Sequence, residues 1–139
     1  MRITHPRNHP GCPFLVSLLA MAMPAMAGQV PSPAAKPIQE LKAFYQQNCT
    51  RCHGTDGSAR SEGGKKLGGL DFTQAAEDFR KLSGPASDRE IRAMTRTIRK
   101  GIFFGLSMPA WKDQLSDADA TLMVREILLQ AAPGKVIKP

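Results

Sequence analysis

The sequence predicts an all-α fold with three main helices and one short helix. Apolar residues recur every three or four positions around Leu41, Met94 and Met123, which is the period of a helix with one buried face. Two of these segments begin with a serine that an acidic residue follows three positions later, a pattern typical of helix N-termini. No segment shows the alternation of polar and apolar residues that a half-buried strand requires.

The first 27 residues have the features of a secretory signal peptide. Arg2 and Arg7 precede an apolar run at residues 14–23, and the sequence Ala-Met-Ala at 25–27 provides an A-x-A cleavage site. The run is shorter than the ~20 apolar residues of a transmembrane helix, so an uncleaved anchor is the less favoured alternative. We therefore expect a periplasmic protein with no transmembrane segment after cleavage.

Residues 28–37 contain Pro31, Pro33 and Pro37, and this composition is typical of a flexible leader. The remaining segment, residues 38–139, has the length of a single domain with one core.

The first helix begins near Ile38, and its helical spacing continues through Leu41 and Tyr45 to Cys49. It leads into C-x-x-C-H at residues 49–53, the attachment motif for a c-type haem. We predict that the Cys49 and Cys52 thiols add to the haem vinyl groups and that His53 is the proximal iron ligand. A thioredoxin-type pair requires a βαβ pattern and a closed zinc site requires four Cys or His ligands, and the sequence offers neither.

The inventory of ligands limits the protein to one haem. After the signal segment the chain has two cysteines, Cys49 and Cys52, and one histidine, His53. A second covalent haem, ligation by two imidazoles and a histidine-based zinc or copper site all lack ligands.

The middle of the chain is predicted to wrap this flat cofactor. Residues 54–70 are rich in glycine without an apolar period, which indicates a loop, and no phosphate-binding motif is present. A short helix from Thr73 to Leu82 follows, with Phe72 and Phe79 available for packing.

Ser87 and Glu90 form a potential capping box for a helix that runs to about Lys100. This helix carries a stripe of arginines, which is either a solvated face or a docking surface for an acidic partner: Arg89, Arg92, Arg96 and Arg99. Nucleic acid is not expected as a partner, because the chain lacks interleaved aromatic residues for base stacking.

Ser116 and Asp119 form a second potential capping box, and apolar residues continue the last helix to Ala131. Between the two long helices lies an irregular segment at residues 101–113, which contains Met108 and Pro109.

Met108 is the predicted distal iron ligand, because Met94 and Met123 fall on the apolar faces of helices and are expected to pack in the core. A thioether opposite an imidazole raises the reduction potential relative to ligation by two imidazoles. Trp111 has two possible roles: it contacts the haem, as a cover or through its indole N–H, or it only packs against its neighbours.

These motifs resemble the class I, cytochrome c-like family, and in particular its small single-haem periplasmic members in bacteria. The resemblance is carried by C-x-x-C-H-G at residues 49–54, by G-x-x-M-P-x-W at 105–111, and by L-S-D at 115–117. It implies a cytochrome c-like domain packed around one covalent haem, whose exposed edge near Cys49 and the Met108 loop passes electrons. Leu41 stands where the family usually has a glycine and Glu126 where it has a tyrosine, so we expect the crossing of the first and last helices to differ in detail.

The function predicted is one-electron transfer by a periplasmic carrier with a His/Met-ligated haem c, and not an enzyme with a small-molecule substrate. Without the two arginines of residues 1–27, the formal charge of +7 becomes +5, which favours redox partners with acidic docking surfaces. One alternative is a cytochrome subunit of a periplasmic dehydrogenase or reductase complex, with residues 135–139 as an interaction arm. Another is an open-site haem enzyme or sensor, for which the sequence after the signal segment offers neither a second histidine nor an acid–base pair.

Overall fold

Six α-helices form the part of the chain that the computed structural model describes, residues 34–139. They are α1 (Ile38–Asn48), α2 (Thr50–His53), α3 (Glu62–Leu67), α4 (Phe72–Phe79), α5 (Pro85–Lys100) and α6 (Asp117–Glu126). A single 3₁₀ turn follows α5, at Phe103–Gly105, and another follows α6, at Leu128–Gln130. The described residues contain no β-strand. The predicted all-α fold is therefore confirmed. The predicted signal peptide and most of the leader lie outside the described residues.

The core is formed by the apolar faces of the three longest helices. Leu41 and Tyr45 of α1 are fully buried, and they lie in one cluster with residues of α5, α6 and the segment after α6, namely Ile91, Met94, Ile98, Met123, Val124, Leu128 and Leu129. The expected packing of Met94 and Met123 in the core is thus observed. None of the described helices is long and apolar enough to cross a bilayer.

Tyr45 ties α1 to the end of the cysteine motif. Its hydroxyl donates a hydrogen bond of 2.7 Å to the Gly54 carbonyl, and burial raises the pKa of this phenol, so the hydroxyl stays protonated. Leu41, one turn earlier in α1, is also fully buried.

The glycine-rich segment contains a helix, α3, where the sequence predicted only a loop. Ser61 caps this helix by accepting a hydrogen bond from the Gly64 N–H at 3.0 Å. A Cβ atom on Gly63 would lie 2.4 Å from the Arg51 carbonyl oxygen, and one on Gly64 would lie 2.2 Å from that of Cys52. The prediction was wrong because these glycines allow α3 to pack directly on the backbone of α2.

Three helix ends also differ from the prediction, the first being that of the short helix α4, which ends at Phe79 instead of Leu82. Helix α5 begins at Pro85, where the fixed φ of proline suits a first helical position, and the Ser87 hydroxyl donates to the Gly84 carbonyl instead of forming a capping box. Helix α6 ends at Glu126, five residues before Ala131, although the apolar residues beyond it are still buried. The capping box of Ser116 and Asp119 is formed.

Both ends of the described segment are bound to the domain. The Lys36 backbone N–H, in the predicted flexible leader, donates to the Asp119 carboxylate at 2.7 Å. Near the C-terminus, Ile137 is buried and its N–H donates to the Thr55 carbonyl at 2.9 Å. The segment considered as an interaction arm is therefore held against the turn that follows His53.

Candidate haem site

One cavity of about 370 Å³ brings together all five residues that the sequence singled out. Its volume lies in the range of about 300–1,000 Å³ that is usual for ligand and cofactor sites. The cavity wall includes both motif cysteines, the motif histidine and two residues of the loop after α5: Cys49, Cys52, His53, Met108 and Trp111. Most of its other lining side chains are apolar, among them Leu70, Phe72, Met94, Ile98 and Leu128.

His53 is buried at the end of α2 and is oriented by two neighbours. Its Nδ1 lies 3.1 Å from the Leu70 carbonyl oxygen, and since a carbonyl only accepts, Nδ1 carries the proton and Nε2 is left to bind a metal. The ring also stacks on Phe72 with a centroid separation of 4.4 Å. Burial lowers the pKa of His53, against a smaller opposing effect of the hydrogen bond to Leu70, and this favours the neutral imidazole that ligates iron.

The two cysteines lie at the cavity wall where α1 passes into α2. Cys49 is the residue between the two helices and Cys52 lies in α2, and neither forms a disulfide bond. Burial, followed by the proximity of Cys52, raises the pKa of Cys49 to about 12. A dithiol of the thioredoxin type needs a thiol whose pKa is lowered, so the environment of Cys49 argues against that chemistry.

Met108 is half-buried in a loop that folds back on the end of α5. The Ile102 N–H donates to the Met108 carbonyl at 3.0 Å, and the Trp111 N–H donates to the Ile98 carbonyl at 3.1 Å. Gly101 adopts φ +69°, and a Cβ atom there would lie 2.5 Å from the Met108 carbonyl oxygen. The loop is thus fixed at both sides of Met108 by contacts with the backbone around it.

Trp111 contacts both the cavity and the core. Its indole ring meets Phe44 of α1 edge to face, with the centroids 5.2 Å apart and an interplanar angle of 87°. Both roles considered from the sequence are therefore compatible with its position.

Several residues of the cavity were not anticipated from the sequence. The Leu70 carbonyl is one, and any residue at that position supplies the same atom, so no sequence signal marks it. Phe72 is a second, because the sequence marks it only as an apolar residue available for packing. Met94 packs in the core as expected but also lines the cavity, which places a second thioether-bearing residue at the site.

Residues 36–125 match the family model described as cytochrome c oxidase, cbb3-type, subunit III. The chain belongs to this family. It is therefore a c-type cytochrome, which implies haem c with its iron and haem-based electron transfer. No curated protein and no solved structure matches the chain.

The residues of the cytochrome's cavity fit this cofactor. Two thiols and an imidazole come from one turn of chain at the cavity wall, a thioether comes from the loop after α5, and apolar side chains complete the lining. This is the donor set that c-type cytochromes use. The individual roles of Cys49, Cys52, His53 and Met108 stay predictions.

Proposed function

We propose that this cytochrome is a periplasmic one-electron carrier with a single haem c, attached through Cys49 and Cys52 and ligated by His53 and Met108. The observation that carries the proposal is the shared cavity, whose lining residues include all four of these side chains. When bound, the haem supplies a one-electron couple at its iron. Ligation by both protein residues leaves no iron position for a substrate, so we expect no bond-making chemistry.

The chain's own contribution is to keep the iron's surroundings constant while the charge changes. The hydrogen bond from His53 to Leu70 holds the imidazole plane, and the contacts of Gly101 and Ile102 with Met108 hold the opposite loop. Apolar lining residues exclude water from the cavity. All three features favour fast exchange of single electrons.

An exposed apolar rim next to the cavity supports an exchange surface there. Leu67, Leu70 and Ile102 line the cavity and are exposed, and three further exposed apolar residues follow Ile102 in the same loop, namely Phe103, Phe104 and Leu106. Phe103 and Phe104 both have positive φ, at 48° and 54°, which is rare for bulky side chains and frequent at functional sites. Exposed apolar patches of this kind are typical of protein contact sites.

Two quantities test this proposal: the number of haems per chain and the rate of electron transfer to a second redox protein. The proposal predicts one haem per chain by mass and by haem absorbance, and complete one-electron oxidation and reduction by a second redox protein. With an acidic partner, the bimolecular rate should fall as salt rises, because salt screens the attraction to the basic cytochrome. Two haems per chain, or a reduced protein that passes on no electrons, would refute the proposal.

Export is tested separately. We propose that residues 1–27 direct the chain to the periplasm, so deletion of these residues should leave an apoprotein in the cytoplasm. Unchanged recovery of the holoprotein in the periplasmic fraction would contradict this.

A second candidate is a cytochrome subunit of a larger oxidoreductase complex. The description of the matched family names a subunit of an oxidase, and this favours a partner that is permanent. Purification at native expression levels distinguishes the two: a carrier elutes alone at the size of one domain, whereas a subunit elutes with its complex.

A further inference from the structure

A second concave surface lies between α5 and α6. The groove has a volume of about 640 Å³, and six of its lining residues are basic and two acidic, which gives an excess of four positive charges. The basic residues come from both helices and from the loop that joins them: Arg92, Arg96, Arg99, Lys100, Lys112 and Arg125. Three arginines of the stripe seen in the sequence thus line the groove, whereas Arg89 does not.

Most of this charge has no internal partner. Arg99 pairs with Asp117 at 2.6 Å, and Arg125 lies 3.8 Å from Asp88. Within residues 34–139 the other four groove cations, Arg92, Arg96, Lys100 and Lys112, form no ion pair. Like charges held close together repel one another, and a bound anionic group relieves that repulsion. The groove therefore favours an acidic occupant.

The groove has a fixed floor. The Thr95 and Thr121 hydroxyls lie 3.4 Å apart, and Ile91 beside them is buried. On the wall, the Arg99 side chain is only 29% exposed, because its Nε donates to the Leu115 carbonyl at 3.2 Å in addition to the ion pair. The floor and the paired arginine are therefore ordered before any partner binds.

The shape of the groove favours a peptide segment over a membrane surface. Arg92, Arg96 and Arg99 follow the axis of α5 at intervals of four and three residues, which spans roughly 10 Å of helix. An extended peptide covers this distance in about three residues, so carboxylates on alternate residues reach successive arginines. A flat layer of lipid headgroups contacts side chains that protrude from a protein surface, whereas these cations line a concave groove.

The groove is separate from the haem cavity. The two have no lining residue in common. On α5 the cavity is lined by Glu90, Met94 and Thr97, while the groove is lined by Arg92 and Arg96, and at 100° per residue the two sets lie on opposite faces. A partner in the groove therefore leaves the mouth of the haem cavity uncovered.

We propose that the groove between α5 and α6 binds an acidic segment of a partner protein and anchors the cytochrome while its haem cavity stays open for electron exchange. The part about electron exchange rests on the proposed function, whereas the binding of an acidic segment does not. The groove binds the segment in either oxidation state.

The test uses the haem-loaded protein and a fluorescein-labelled peptide of alternating Glu and Ser residues. The variant R92Q/R96Q removes two groove charges, and R80Q/R89Q removes two exposed charges outside it. Loss of two arginine–carboxylate contacts should weaken peptide binding about tenfold in the groove variant and less than about twofold in the control. Equal weakening in both variants, or no binding by the unaltered protein, would overturn the proposal. Binding to phosphatidylglycerol vesicles without binding to the peptide would also overturn it, in favour of a membrane surface.

A second readout separates this proposal from the proposed function. Reduction of the haem by a neutral quinol should proceed at the same rate with and without saturating peptide. A slower rate with peptide would place the bound segment over the haem cavity and overturn the inference. A haem that no reductant reduces, with peptide binding intact, would count against the electron-transfer function alone.

Discussion

His53 is held by groups that the C-x-x-C-H motif does not contain. The motif supplies an imidazole next to two thiols, and the structure adds the carbonyl of Leu70 at Nδ1 and the ring of Phe72 against its face. Both come from the segment after α3, seventeen or more residues away along the chain. The motif thus predicts which atoms bind the cofactor, whereas the fold determines how the imidazole is oriented.

Tyr45→Phe tests how much one buried hydrogen bond contributes to stability. The substitution removes the short donor to the Gly54 carbonyl, directly after His53, and leaves that buried acceptor with only the long 3.4 Å hydrogen bond from the Gly57 N–H. The free energy of unfolding should fall by about 1–3 kcal/mol. Chemical denaturation of the haem-loaded protein measures it.

Ser87→Ala is the control for Tyr45→Phe. It also removes a side-chain donor to a backbone carbonyl, that of Gly84, but in an exposed position, so a loss under about 0.5 kcal/mol is expected. Equal stability of Tyr45→Phe and the unaltered protein would contradict the role given to Tyr45.

Helices α1, α5 and α6 are the elements whose existence the apolar periodicity predicted, because each has one face in the core. The helix α3 was missed, since local preference argues against a helix with two glycines. Those glycines are required by contact with the α2 backbone, a tertiary relation that no local pattern reveals. The early end of α6 was missed for a similar reason, because apolar residues are buried there whether the backbone is helical or not.

The loop that carries Met108 depends on Gly101, and Gly101→Ala tests this dependence. The new Cβ atom would lie 2.5 Å from the Met108 carbonyl oxygen, in a backbone conformation with φ +69°. We expect loss of stability together with weaker ligation by Met108, visible as a smaller sulfur-to-iron absorption band.

Gly105→Ala provides the matched control. Gly105 also has positive φ, at +89°, but a Cβ atom there meets nothing within 4 Å. The two variants share the conformational penalty, so Gly101→Ala should be less stable than Gly105→Ala by at least about 1 kcal/mol. Identical unfolding free energies and spectra would show that the close approach to Met108 does not matter.

At the scale of the whole molecule, the chain beyond α6 returns to the haem-binding segment. The Gly134 N–H donates to the Asp56 carboxylate at 2.9 Å, Ile137 bonds to Thr55, and the Gln46 side chain donates to the Ile137 carbonyl. The alternative of a complex subunit treated residues 135–139 as an interaction arm, but Ile137 is buried against the core. This contact forms because the folded chain brings residues 134–137 back to the segment after His53, and no local pattern in the sequence reveals that.

The hydrogen bond from Gly134 to Asp56 makes the free energy of unfolding depend on pH. Hydrogen bonds from the side chain and backbone of Ser58, and also from Gly134, lower the pKa of Asp56 from 3.8 to about 2. Its folded-state pKa is below its unfolded value, so the carboxylate stabilises the fold fully above pH 3.8, and this contribution is lost as the pH falls to about 2. Asp56→Asn should therefore flatten the decline of the unfolding free energy in that window.

Asp113→Asn is the control for the removal of a carboxylate, because Asp113 is exposed and forms no ion pair within residues 34–139. Its unfolding free energy at neutral pH should equal that of the unaltered protein. If Asp56→Asn retains the full slope between pH 3.8 and about 2, the link between the C-terminal segment and this carboxylate does not stabilise the fold.

Within residues 34–139, the haem cavity and the basic groove lie on opposite sides of α5. The sequence predicted Cys49, Cys52 and His53 of the cavity through a motif with fixed spacing. For the groove, the sequence predicted only a stripe of arginines that is either a solvated face or a docking surface. The groove also needs Lys112 and Arg125, which reach it from the loop after α5 and from α6, and the stripe does not include them.

Ligation of the haem by His53 and Met108 is best tested with the optical spectrum of the purified ferric protein in the far red. We expect a weak sulfur-to-iron band that Met108→Ala abolishes and that Met94→Leu, which alters the other thioether-bearing residue of the cavity, retains. A spectrum without this band, high-spin and shifted by carbon monoxide after reduction, would contradict it and indicate an open iron position instead.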